Sequence, residues 1–173
     1  MLILGIDPGT ATTGFGVIND KAGKLDVLDW GLIETDKARP TEKRLQDIYR
    51  DTLVLLKKHK PDIFVFEKIF FANNAKTAIA IGQAQGVMLL AACKQKTAVV
   101  SYAPGTIKKV ISGSGKAKKK EMQKSVRKIL GPKIKSKAHK KTHFDNAADA
   151  LAIALTHAFT LAGRTGGDIN GKL

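Results

Sequence analysis

The chain reads as a mixed α/β sheet flanked by helices, and three observations lead there. Three alternating apolar runs come first, separated only by short turns, which is the pattern of hairpin-connected antiparallel strands. From Pro40 onward, helix-period and strand-period segments alternate, which is the pattern of parallel strands joined by helical crossovers. The 173 residues, 43% of them hydrophobic and with only 5 Pro, are enough for one compact domain with a real core.

The first two strands lie in LILGIDPGTATTGFG, Leu2–Gly16, with alternation resuming over Thr13–Ile18. Pro8 cannot donate to a ladder and Gly9 tolerates positive φ, so the turn belongs at Asp7–Thr10. Asp20–Gly23 turns the chain into a third strand, Lys24–Thr35. Leu45, Ile48, Tyr49, Thr52, Leu53, Leu55 and Leu56 repeat at helical spacing, so Pro40–His59 is a helix with Thr41 as its expected N-cap and Pro61 as its end. Asp62–Glu67 is a short continuous apolar strand, as in a sheet covered on both faces. Phe70–Asn74 is a loop and Ala75–Lys94 a helix, in which Gly82 and Gly86 would let another backbone approach. Thr97–Tyr102 is the fifth strand, and Pro104–Ile111 a short helix with proline in its first turn. Ser112–Gly115 is a flexible break, followed by a basic amphipathic helix over Lys118–Leu130 that presents Met122, Val126, Ile129 and Leu130. Gly131–Thr142 has no apolar period and reads as loop, and His143–Ala162 contains the last helix. Residues 1–162 form the domain, and the Gly-rich segment 163–173 is expected to fray.

The net charge is +15, and its placement says more than its size. Between Lys108 and Lys141 stand 14 Lys or Arg against one acid, Glu121, so this segment carries nearly all of the excess. A block this concentrated marks a polyanion-binding face rather than a merely solvated one. No apolar run reaches membrane-spanning length and no signal-type core follows the N-terminus, so no membrane is implied. The single cysteine, Cys93, excludes an internal disulfide, points to a reducing, cytoplasmic setting and is expected in the core.

Three acids fall where the apolar period predicts burial. Asp7 ends the first strand, Glu67 ends the fourth, and Asp149 interrupts the apolar face of the last helix. A buried carboxylate is costly unless it is paired or holds a metal. Asp7 taken alone could equally cap its own turn in an Asx-turn. Three such acids from three separate elements suggest one shared site. Mg²⁺ takes carboxylate, water and phosphate oxygens, and two such ions can activate a water and stabilise the leaving oxygen of a phosphodiester. Zinc-ligand spacing, a P-loop and G-x-S-x-G are all missing from the sequence.

Four stretches, GIDPGT with TGFGVI, FEKIFFANN with IGQAQGV, SYAPGTIKKVISGSGKAKK, and NAADALAIALTHA, closely resemble the RuvC family of Holliday-junction resolvases, in order and spacing as far as about His157. The resemblance implies an RNase H-like fold and a homodimer. It further implies Mg²⁺-dependent, symmetric nicking of four-way junction DNA, with two ions per active site and Mn²⁺ able to substitute. The nicks are ligatable and 5′-phosphorylated. It also implies work alongside the RuvA–RuvB branch-migration complex in recombination and repair.

By position, Asp7 and Glu67 match the first two catalytic and metal-binding acids, and Asp149 the last. Asn146 stands where the family usually has Asp or sometimes His, sharing a helix face with Asp149. An amide offers a neutral oxygen but no charge. Either the chain is a catalytically impaired junction-binding form, or Asp145 or His143 compensates. Phe70 matches the aromatic wedge that stacks on a base at the crossover, whereas Phe71 reads as core. Lys108 and Lys119 match lysines near the bound strands, and Lys116, Lys118 and Lys120 complete the DNA-binding set. The stretches Lys116–Lys120 and Lys133–Lys141 are expected to order only around DNA. A sugar-kinase or actin-like ATPase carries a loop similar to GIDPGT, but its two-domain cleft needs a longer chain.

Overall fold

The computed structural model describes residues 1–69, 75–131 and 141–166, with the backbone alone for 141–146. Phe70, Phe71, the basic stretch 133–140 and the side chains of Lys141, His143, Asp145 and Asn146 therefore lie outside the described residues.

Five strands form one sheet in the order β3-β2-β1-β4-β5. Strands β1 (Leu2–Asp7), β2 (Thr12–Lys21) and β3 (Lys24–Glu34) make the antiparallel half. Strands β4 (Ile63–Glu67) and β5 (Ala98–Tyr102) join β1 in parallel. Both the element order and the mixed sheet follow the sequence expectation.

Each sheet face carries its own core. On one face lie α1 (Thr41–His59) and α2 (Ala75–Lys94), with Ile48, Leu56, Ala84, Met88 and Ala92 packed on Leu4, Ile6, Val17 and Phe64. On the other lie α3 (Pro104–Ser112), α4 (Lys119–Leu130) and α5 (Lys141–Leu161), whose Ile111, Val126, Leu151 and Leu155 meet Ile3, Ile18 and Val65. Burial of these side chains from both sides explains why β4 reads as an unbroken apolar run. Most polar side chains in the interior are paired, while His157 Nε2 is buried without a hydrogen-bond partner among the described residues. Asp47 is held by Arg39 and Arg50, and His157 meets the Tyr102 hydroxyl through Nδ1 at 2.9 Å, with burial holding its pKa below the usual imidazole value.

Several expectations are corrected. Pro40, not Thr41, is the N-cap of α1, and no side chain caps it, because Thr41 already lies in the first turn. Cys93 is exposed, since α2 buries the neighbouring Ala91 and Ala92 instead. Among the described residues, α2 is long and apolar enough by composition to cross a membrane, contrary to the expectation of no such run; its Ala84, Met88, Ala91 and Ala92 face the sheet core instead. Ser112–Gly115 is not a loose break, because Gly113 takes a left-handed C-cap at φ 83° and the Ser112 hydroxyl donates to Lys108 O at 2.7 Å. In the stretch Lys116–Lys120, Ala117 is buried, and Glu121 accepts the Lys118 N–H at 2.8 Å at the start of α4. The last helix begins two residues earlier than expected, at Lys141. Beyond it Arg164 N–H bonds Phe159 O and Gly166 N–H bonds Val110 O.

Candidate active site

Asp7 and Glu67 stand at the C-terminal ends of β1 and β4, which are neighbours and parallel, with Ile6 opposite Phe66. Adjacent strands lie about 4.8 Å apart, so two carboxylates at matching strand ends share one rim. Asp149 reaches that rim from α5, which crosses the sheet at unusually short range.

The crossing is made by glycine. Gly5 of β1 and Gly16 of β2 are register partners. A Cβ on Gly5 would lie 2.3 Å from Ala150 O and 2.7 Å from Ala154 N, and one on Gly16 would lie 2.7 Å from Leu151 Cδ2. Two paired positions without side chains, on adjacent strands, thus open a slot for the backbone of α5, and the small residues Ala150 and Ala154 occupy it. Among the described residues, no backbone makes the close approach expected at Gly82 and Gly86: a Cβ on Gly86 would meet nothing within 4 Å, and one on Gly82 would meet Ile69 Cδ1 at 3.8 Å.

The three acids line one cavity of about 220 Å³ together with Pro104, Ile107, Lys108, Lys119 and Met122. A second cavity beside it shares Asp7, Glu67 and Pro104 and adds Pro8, Lys68, Ile69 and Ile81. Their electrostatics are coupled. Burial, then the charges of Asp149 and Glu67, push the Asp7 carboxyl up to about 7, against the opposing pull of Lys119. Burial and then Asp149 raise Glu67, with Lys108 opposing. Lys119 Nζ sits 2.9 Å from Asp149 Oδ2, both side chains being partly exposed.

Among the described residues, no three His, Cys, Asp or Glu side chains stand close enough as they are to grip an ion. The donor set is nevertheless all carboxylate oxygen, which suits hard divalent cations. Burial first, and then the neighbouring acids, raises the Asp7 and Glu67 carboxyls, and the Lys119 ammonium pairs directly with Asp149. The residues present therefore fit a divalent ion that would displace or join that ammonium.

Of the residues expected from sequence, Asp7, Glu67, Asp149, Lys108 and Lys119 come together. Lys116, Lys118 and Lys120 are exposed around the start of α4 and do not line the cavity. Asn146 has its backbone in α5, and Phe70 lies outside the described residues.

Two supporting residues were not singled out from sequence. The Gln85 amide, on the buried face of α2, donates to Glu67 O at 3.2 Å. The fully buried Thr13 hydroxyl donates to Gly9 O at 2.7 Å and accepts the Gly9 N–H at 3.2 Å. Gln85 lies within IGQAQGV, so a polar residue on an otherwise apolar helix face was its available signal. Thr13 offered none, because threonine is ordinary in a strand.

Comparison with known proteins adds to this geometry. Residues 3–157 match the family model described as crossover junction endodeoxyribonuclease RuvC. A protein of that name from Fusobacterium nucleatum is 43% identical over 131 residues, covering 76% of this chain and 69% of that protein. The structure of T. thermophilus RuvC in complex with Holliday junction substrate superposes with a TM-score of 0.82 at 35% identity, covering 95% of this chain and 98% of that one. The yeast mitochondrial Holliday junction resolvase Ydc2 shares the fold at 14% identity, with a TM-score of 0.67 over 89% of this chain and 76% of that one.

Proposed function

The chain belongs to the RuvC family of crossover junction endodeoxyribonucleases, and we propose that its Asp7–Glu67–Asp149 cleft nicks four-way DNA junctions during recombination and repair. The fold is the RNase H-like resolvase type expected from sequence. The single observation that carries the catalytic reading is that carboxylates from β1, β4 and α5 share one cavity with Lys108 and Lys119, at the edge of the most basic segment of the chain.

In this reading Asp7, Glu67, Asp149 and the Asn146 amide would hold the divalent ions, two Mg²⁺ per site with Mn²⁺ able to replace them. When bound, the ions supply Lewis-acid activation of a water and charge neutralisation at the leaving oxygen. The chain's own groups do the rest. The acids repel an unaccompanied phosphodiester, so DNA enters only with its charge offset. Lys108 and Lys119 face the incoming backbone from the cavity wall. Lys116, Lys118 and Lys120 line the approach as phosphate contacts, and Phe70 stacks on a base at the crossover.

A homodimer supports paired nicks, since a two-fold axis presents two identical sites to like strands. The outer face of α2 suits this role. Ile79 is 64% exposed, Leu90 is 50% exposed, and Gly86 between them leaves room for a second helix. Cooperation with RuvA–RuvB and a cytoplasmic location accord with a chromosomal DNA substrate.

The deciding experiment is cleavage of an end-labelled mobile four-way junction with Mg²⁺, comparing this chain with Asn146→Asp and Asp7→Asn. Paired nicks are expected, faster for Asn146→Asp because an acid at 146 adds charge for the ions, and absent for Asp7→Asn. Cleavage that survives Asp7→Asn, or none from either the parent or Asn146→Asp with Mg²⁺ or Mn²⁺, overturns the reading.

A further inference from the structure

The turn after Asp7 contains a competition that the structure has resolved in one direction. An aspartate at a turn of this kind ordinarily caps it, its side-chain oxygen accepting the N–H two residues on. For Asp7 that donor is the Gly9 N–H. Pro8 has no N–H to offer in its place. Here the Gly9 N–H goes instead to Thr13 Oγ1 at 3.2 Å, and the same hydroxyl donates to Gly9 O at 2.7 Å. One buried hydroxyl thus takes up both main-chain groups of Gly9. Among the described residues, no donor is bonded to the Asp7 carboxylate, and what acts on it is burial and neighbouring charge.

The turn is braced on its outer side as well. Thr35 Oγ1 donates to Thr10 O at 2.6 Å, Thr35 N–H donates to Ala11 O at 3.1 Å, and Arg44 Nε donates to Thr35 Oγ1 at 3.0 Å. A Cβ on Gly9 would lie 2.3 Å from Thr12 O, so the turn is compact enough for the Thr13 hydroxyl to span it.

We propose that Thr13 is a positioning residue for the reaction: by occupying the Gly9 N–H it keeps the Asp7 carboxylate out of its own turn and directed into the cleft shared with Glu67 and Asp149. The inference rests on the nuclease reading above for its purpose, but its geometry can be tested separately. Thr13→Val preserves shape and removes the hydroxyl, leaving the half-buried Gly9 N–H without its partner. A donor shielded in part from water gains from a new acceptor, and the Asp7 side chain is the nearest acceptor in sequence able to take it.

Three measurements decide the matter. The crystal structure of Thr13→Val should show an Asp7 oxygen within hydrogen-bond distance of Gly9 N, and an Asp7 carboxylate still directed into the cleft overturns the proposal whatever the protein's activity. Calorimetric titration with Mn²⁺ should show affinity lower by about tenfold or more, the range seen when groups supporting a metal ligand are removed. Junction binding in EDTA should be unchanged. Thr13→Ser keeps the hydroxyl and should restore both the Asp7 orientation and Mn²⁺ binding. If Thr13→Ser is as impaired as Thr13→Val, the methyl packing and not the hydroxyl matters, and the proposal is wrong. Should Thr13→Val fail to fold, Thr13→Ala against Thr13→Ser makes the same comparison.

Discussion

Placing a single methyl group on Gly5 tests how the site is assembled. In Gly5→Ala the new Cβ would stand 2.3 Å from Ala150 O, 2.7 Å from Ala154 N and 2.9 Å from Ala154 Cβ. Two of these are backbone atoms, so no side-chain rotation relieves the overlap. To reach ordinary contact, α5 must withdraw from β1 by about 1 Å, an overpacking that typically costs about 1–3 kcal/mol. For a chain of this size each kcal/mol lowers Tm by about 2–4 °C, so a fall of about 2–12 °C is expected. The larger effect is on chemistry. Ala150 follows Asp149 directly, so the withdrawal carries Asp149 away from Asp7 and Glu67. A displacement of about 1 Å at a reacting centre can cost about 10²-fold in rate. The assay is junction cleavage at saturating DNA and Mg²⁺, well below the melting temperature of the variant. Gly105→Ala, at a helical position with nothing within 4 Å among the described residues, is the control and should leave both properties nearly unchanged. A Gly5→Ala protein with parental Tm and parental rate refutes the idea that this slot sets the distance between the acids.

The metal-free protein should lose stability as pH rises. Burial and the charges of Asp149 and Glu67 push the Asp7 carboxyl up to about 7 from the ordinary 3.8, so between those pH values the folded state binds the extra proton and stability falls with increasing pH. Melting in EDTA from pH 4 to pH 8 should show this decline, Mg²⁺ should offset it at the upper end, and the difference between parent and Asp7→Asn isolates the group; a flat or rising difference contradicts the assignment. Ile79→Lys with Leu90→Lys should shift the chain from dimer to monomer in sedimentation while leaving its melt close to that of the parent monomer, because both side chains face solvent in the single chain. Unchanged sedimentation removes α2 from the interface. Phe70→Ala should keep the fold and the Mn²⁺ affinity but slow cleavage of a cognate junction, since stacking on a base is worth about 1–3 kcal/mol. Equal cleavage rates dispose of the wedge.

The elements and their order were legible because apolar period and turn residues are local signals. Alternation marked β1 to β3, the unbroken run at Ile63–Phe66 marked a strand covered on both sides, and helical spacing marked α1 and α5. The acids could be picked out for the same reason, each breaking an apolar period at Asp7, Glu67 or Asp149. The errors arose where burial depends on what packs opposite. Cys93 lies in an apolar stretch yet faces outward, because α2 turns a different arc toward the sheet.

What residue order alone settles here is which groups exist to do chemistry and on which element each one sits. It does not say that a glycine on β1 faces a glycine on β2, or that their paired absence of side chains is what admits α5. Nor does it say that a threonine four residues past a turn releases an aspartate from capping that turn. These are contacts between groups whose partners are chosen by the packing of the sheet against its helices. A local pattern has no means of encoding a distance that only forms when the two surfaces close.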